Sequence, residues 1–382
     1  MGLCPFAYAN CPPNSMKLLF ITPVANRSGS VTTLLNYMHY APKNDSRRFA
    51  MFSRRAGQLD LTEFNCPLYV SPQSDRFSYR LYETAVHKLT GSIPHLKSLE
   101  DAHKAEKVDL WYINTIAMPE YAQLAIRLGQ PYVLHVHELV QEYDERGYDE
   151  FKQMLGGAKL LFTASQTVVD NLQNMGYKNV VLMHGLINVE DIKPTRNRAE
   201  VRQELGFRDD EFVWLMSGAW SNRKGFDMIP DILREMPART PFVWMGPARK
   251  TGTTYYVEQY IRTHDLNVRF LTEQSTQYFS YFNACDGFCL TSREDSYPIV
   301  MREAAVLGKP IVGFNSGGIR EFVKPGMGEI VEGFYPKALA QAMLRVQTGE
   351  TVIDRAKLQT AITTQTQQAE AKRWIETLEN IL

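Results

Sequence analysis

Two acids with seven residues between them, Asp295 and Glu303, stand in the stretch best equipped for chemistry, SREDSYPIVMREAAVLGKPIVGFNSGGIRE from Ser292 to Glu321. The apolar run Gly287–Leu290 before it is short enough for a buried strand. Ser296 is a candidate helix cap, and Pro298 suits a first turn, where a missing N–H costs little. Ile299, Val300, Glu303, Ala304, Val306 and Leu307 follow at helical spacing, until Gly308-Lys309-Pro310 ends the run. Ile311–Phe314 starts another strand, and Ser316-Gly317-Gly318 turns out of it. Strand, loop, helix, strand, loop is a unit of a parallel α/β sheet.

Free backbone N–H groups at a helix tip bind phosphate readily; here the tip is Pro298–Val300, where Ile299 and Val300 carry the N–H groups. With a helix starting near Tyr297, Glu303 lies ~9 Å further along the axis. A pyrophosphate at the tip then has a carboxylate on either side, one for a sugar hydroxyl and one for a ribose. Taken alone, the pair also reads as solvated acids, with Asp295 favouring the helix dipole.

Two further groups join it. Glu211–Gly218 reads as a strand, and the loop after it carries Arg223-Lys224-Gly225 ahead of a helix near Phe226. Arginine grips two phosphate oxygens, lysine acts as a mobile point charge, and the glycine lets backbone approach a ligand. Tyr132–Glu138 runs from strand into loop. His135, inside the strand, reads as a core residue; His137 stands at its C-terminal end, where open parallel sheets bind ligands. His137-Glu138-Leu139-Val140 is not H-E-x-x-H, which excludes a zinc protease on spacing.

In this order, Arg223-Lys224-Gly225, Asp295 and Glu303 with Ala304 and Gly308-Lys309-Pro310, then Gly317-Gly318-Ile319-Arg320-Glu321, the motifs resemble the nucleotide-sugar site of retaining glycosyltransferases of family 4 (glycosyl transferases group 1) with the GT-B fold. The resemblance is firm over residues 209–345 and looser over 17–190. It implies two doubly wound Rossmann-like α/β domains facing a cleft, with the donor mainly on the second. The implied reaction moves a sugar from a nucleotide diphosphate donor to a hydroxyl acceptor on a glycan, lipid or small molecule, with retention. The catalytic set is then His137, Asp295, Arg223 and Lys224. Gly29, Gly218, Arg223, Lys224, Asp295, Pro298, Ile299, Val300 and Glu303 bind the donor, with Glu303 on the ribose, and Glu138 is a lesser candidate beside His137.

Three departures stand out. The first acid is commonly Glu, and Glu294 precedes Asp295 as the alternative. Only Gly29 answers the glycine pair expected after the first strand, and His184-Gly185 replaces Asn-Gly. No two aspartates lie two residues apart. A D-x-D metal site is therefore missing, and protein cations are expected in place of a metal or other cofactor. The alternatives are a nucleotide-sugar epimerase of similar fold and a catalytically silent nucleotide-sugar-binding relative. Two carboxylates can also serve a hydrolase, but these flank a predicted phosphate site.

The rest of the chain supplies a frame. At 382 residues it should form about two domains. Lys plus Arg and Asp plus Glu balance at 42 each, which gives no support for a nucleic-acid partner. Five cysteines, an odd number, argue against a disulfide scaffold. With no apolar run near the ~18–20 residues of a membrane span, a cytoplasmic protein is expected. Arg54, Arg55, Arg76, Tyr79, Arg80 and Tyr82 mix aromatic and basic character, which fits peripheral contact with the inner face of a membrane or the solvated faces of ordinary helices.

The expected divisions are a disordered leader at 1–16, an acceptor-side domain at 17–190, a linker at 191–208, a donor domain at 209–360 and a final helix at 361–382. The first domain opens with strand Lys17–Thr22 and a helix from Val31 to about Tyr40, without the G-x-G-x-x-G of nicotinamide or flavin enzymes. Residues 160–175 read as a helix. In the last segment Trp374, Ile375 and Leu378 share a helical face, and the resemblance implies packing on the first domain.

Overall fold

The computed structural model describes residues 16–26, 28–44, 46–71, 77–90, 93–272 and 277–382. The leader through residue 15, Arg76 and the side chain of Arg80 lie outside the described residues. The chain divides into two compact units.

The first comprises residues up to 163, 171–183 and 368–382. Its strands are β1 (Met16–Thr22), β2 (Arg47–Ser53), β3 (Leu68–Val70), β4 (Leu110–Ile113), β5 (Tyr132–Val136), β6 (Leu160–Thr163) and β7 (Val180–Leu182). They are parallel in the order β3-β2-β1-β4-β5-β6-β7. Leu18 to Ile21 are fully buried, as befits a parallel strand covered on both faces. Strand order reverses between β1 and β4, and the crevice beyond such a point is where these sheets bind ligands. Trp374, on helix Thr364–Glu379, is fully buried here. It stacks on Tyr37 at 5.0 Å and on Phe20 at 6.2 Å, and its indole N–H donates to the Tyr112 hydroxyl at 3.3 Å.

The second unit comprises residues 164–170 and 184–367. Its strands are β8 (Trp214–Ser217), β9 (Phe242–Met245), β10 (Val268–Leu271), β11 (Gly287–Leu290), β12 (Ile311–Phe314) and β13 (Gly328–Val331). They are parallel in the order β10-β9-β8-β11-β12-β13, reversing between β8 and β11. The loops leaving those two strands carry the Arg-Lys-Gly and Asp-Glu motifs.

Two sequence readings need correction. Residues 191–208 are not a linker: they contain helix Arg198–Leu205, whose Val201, Arg202 and Leu205 are buried. The Arg202 guanidinium donates to the carbonyls of Ala284 and Arg208 at 2.9 and 2.8 Å and pairs with Asp286, which offsets the cost of burying it. Residues 160–175 hold strand β6 and then helix Gln166–Asn174; between β1 and β4 lie β2, β3 and two helices, Phe77–Thr90 and Pro94–Glu106. Among the described residues, no helix is long and apolar enough to cross a membrane.

Candidate functional site

In the second unit, three glycines let the loops at the sheet's switch point nest. Gly225 adopts φ +75°, and a Cβ there would lie 2.1 Å from the Thr291 carbonyl oxygen. A Cβ on Gly318 would lie 1.9 Å from that of Ser296. On Gly218, the contact would be the Lys224 stem at 3.3 Å. Gly218 and Gly318 therefore shape the site by omission, one for a side chain and one for a loop.

The nested loops join the two motifs. Lys224 Nζ lies 2.5 Å from Asp295 Oδ2, which also accepts from the Ser292 hydroxyl at 3.2 Å. The Asp295 backbone forms an isolated parallel bridge to Gly317, with its N–H on the Ser316 carbonyl at 2.8 Å. Arg223 is exposed and donates from Nη1 to the Glu294 carbonyl at 3.2 Å. Behind them Arg293 grips Asp227 with both terminal nitrogens, at 2.6 and 2.7 Å, and donates to the Asn222 carbonyl at 2.5 Å. This bidentate clamp ties the β8 loop to the β11 loop.

Helix Ile299–Val306 begins two residues later than the sequence reading, with Pro298 at its N-cap (φ −57°, ψ 123°) and no side-chain cap from Ser296. Glu303 is then ~6 Å along the axis from the first helical residue rather than ~9 Å. Pro298 is buried, and Ile299 and Val300 are half-buried at the tip. Loss of hydration pushes the Glu303 carboxyl up to about 7, against the Tyr278 hydroxyl, which donates to Oε2 at 3.1 Å and favours the charged form.

Two further residues of the resembled motif have protein partners. Lys309 is buried and donates to the carbonyls of Asn283 and Cys285 at 3.0 and 2.6 Å, and burial pulls its ammonium down to about 8. Glu321 accepts from the Gln166 N–H at 2.8 Å, at the start of helix Gln166–Asn174. His184 stacks on Tyr297 with ring centroids 4.2 Å apart.

In the first unit, His137 leaves the end of β5 and stacks on His135 at 3.9 Å. Its Nε2–H donates to Asn114 Oδ1 at 3.1 Å, because the Asn114 amide group is already directed to the Ser30 carbonyl at 3.0 Å. Burial pushes His137 down to about 3, so the ring is neutral at physiological pH. Glu138 accepts from the Thr115 hydroxyl and from the His137 N–H at 2.9 Å, and burial raises its carboxyl. Gly29 is exposed and opens helix Gly29–Tyr40 after β1. The sequence-selected residues thus gather at one switch point in each unit: Gly29 and His137 in the first, and Gly218, Arg223, Lys224, Asp295, Pro298, Ile299, Val300 and Glu303 in the second. Asn114, Thr115, Asp227, Tyr278 and Arg293 were not selected, since nothing local marks a residue whose partner is tens of positions away.

Two doubly wound parallel-sheet units of this kind make up the GT-B fold. HepE from Anabaena, solved in complex with UDP, superposes with a TM-score of 0.77 over 96% of this chain and 100% of that one, at 20% identity. Sucrose-phosphate synthase from Thermosynechococcus elongatus superposes with a TM-score of 0.69 over 96% of each chain, at 15% identity. Residues 197–367, within the second unit, match the family described as glycosyl transferases group 1. The teichuronic acid biosynthesis glycosyltransferase TuaC of Bacillus subtilis, itself named as putative, is 23% identical over 226 residues, 57% of this chain and 55% of that protein. The match thus spans about half the length of this curated relative.

Proposed function

We propose that the protein transfers a sugar from a nucleoside diphosphate sugar to a hydroxyl acceptor with retention at the anomeric carbon. The observation that carries this reading is the Lys224–Asp295 pair at the switch point of the second sheet, beside the tip of helix Ile299–Val306. Departure of a nucleoside diphosphate builds negative charge, and cations with helix-tip N–H groups stabilise it without reorganisation. Arg223 and Lys224 fill that role, Asp295 holds sugar hydroxyls and Glu303 the ribose.

A nucleotide-sugar donor gains support from HepE, solved with UDP and with UDP-glucose. We further propose that transfer needs no metal, since the sequence has no D-x-D and the site supplies its own cations. The test is a thermal-shift and calorimetry screen of UDP, GDP and ADP with their glucose or mannose conjugates. A ligand that binds the native state raises apparent stability. Stabilisation by at least one diphosphate, lost in Lys224→Ala, supports the reading; no response from any of them contradicts it.

A further inference from the structure

Glu303 is held asymmetrically. Its Oε2 accepts from the Tyr278 hydroxyl at 3.1 Å, whereas Oε1 has no hydrogen-bond partner among the described residues. The Tyr278 oxygen also lies 2.9 Å from Ser217 Oγ. A phenol has one proton, and here it goes to the carboxylate, so the Ser217 hydroxyl must donate to the phenol oxygen. The result is a directed chain, Ser217 to Tyr278 to Glu303. It starts at the last residue of β8, passes through helix Tyr278–Ala284 and ends one turn inside helix Ile299–Val306. Ser217 is 4% exposed, which anchors the chain on the sheet itself.

Such a chain does two things to a carboxylate. It fixes the side-chain rotamer, leaving one oxygen presented. It also favours the charged form, which burial opposes. The neighbouring charges are few. Arg302, on the same helix, favours the charged form, and Tyr278 is the group facing Glu303 from the adjoining helix. Tyr278 itself stays protonated, since burial and the facing carboxylate hold it well above its ordinary value.

We propose that Tyr278, backed by Ser217, is a positioning residue that turns Glu303 toward the ribose diol of the bound nucleotide. This rests on the assignment of Glu303 to the ribose made above. A diol donates two hydrogen bonds and needs a carboxylate correctly aimed and ionised; a nucleotide lacking the 2′-hydroxyl cannot make both. Tyr278 therefore acts on affinity only through the diol.

The experiment compares UDP, GDP or ADP, whichever binds best, with its 2′-deoxy counterpart, by calorimetry between pH 6 and 8.5. The deoxy ligand also cancels titration of the diphosphate, which falls in the same range. Wild type should prefer the ribose form, with the preference growing as pH rises through about 7. In Tyr278→Phe the preference at pH 7 should fall by about ten- to a hundredfold, the scale of one hydrogen bond to a charged group. Its midpoint should move to higher pH, and the deoxy ligand, which keeps only the 3′-hydroxyl contact, should lose less affinity than the ribose form. Ser217→Ala should shift the midpoint the same way by less, and Ser217→Thr, which keeps the hydroxyl, should restore it. An unchanged preference and midpoint in Tyr278→Phe, or equal losses for both ligands, would overturn the proposal. Glu303→Gln separates the two levels: if it too leaves the preference intact, the ribose assignment fails and the positioning role falls with it.

Discussion

Lys224 and Asp295, 71 positions apart in sequence, meet at 2.5 Å where the second sheet reverses its strand order. Their side chains are only 15% and 11% exposed, so each charge depends on the other for compensation. In the proposed reaction the diphosphate supplies a stronger partner for Lys224. Asp295 is then released to accept from sugar hydroxyls, and loading the donor prepares both ends of the scissile bond.

Lys224→Ala should weaken nucleoside diphosphate binding by about 1.5–3 kcal/mol, the scale of a charged hydrogen bond. Calorimetry measures it directly. Unchanged affinity in a folded variant would remove Lys224 from the phosphate grip.

The two adjacent acids should behave differently. The Asp295 carboxylate pairs with Lys224 and accepts from Ser292, and the Glu294 backbone carbonyl accepts from Arg223. Asp295→Asn should lower turnover by orders of magnitude more than Glu294→Gln; free diphosphate affinity should change little in Glu294→Gln and should not fall in Asp295→Asn, where Lys224 loses its competing partner. Steady-state kinetics giving the reverse ranking would exchange their roles.

The strands around the site were legible because parallel strands covered on both faces read as unbroken apolar runs, as Gly287–Leu290 does. The motif order was legible too, since Arg223-Lys224-Gly225 and Asp295 to Glu303 each sit within one loop–helix segment. What connects them was not. Arg293 and Asp227 are 66 positions apart, and Arg202 and Asp286 are 84 apart. No local pattern distinguishes these buried or clamped charges from solvated ones, so Arg198–Leu205 passed for a linker. The start of helix Ile299–Val306 was misplaced for a related reason. Ser296 has the chemistry of a cap, but its carbonyl sits against Gly318 and the chain turns helical only after Pro298.

Transfer should continue in excess chelator, because Arg223 and Lys224 supply the positive charge. Complete loss of activity in EDTA, restored by magnesium or manganese, would show that a metal shares the diphosphate.

Glu303 should leave a mark on stability against pH. Its carboxyl is raised from an ordinary 4.5 to about 7, so between those values the folded state holds a proton that the unfolded state has released. Its contribution to stability therefore falls as pH rises from about 4.5 to about 7. Glu303→Gln lacks that titration, and its melting temperature relative to wild type should rise by a few degrees across this window. A constant difference between pH 5 and pH 8 would mean that Glu303 is not desolvated in the unliganded protein.

The most direct test of the central claim is to incubate the protein with an α-linked nucleotide sugar and a mixture of hydroxyl acceptors. The products are followed by proton NMR of the anomeric region and by mass spectrometry. The account predicts a new α-glycoside forming in step with free nucleoside diphosphate, both abolished in Lys224→Ala and Asp295→Asn. A β-linked product would contradict retention. An isomerised donor would point to an epimerase, and a donor that binds but is never consumed would leave a nucleotide-sugar-binding protein in place of a transferase.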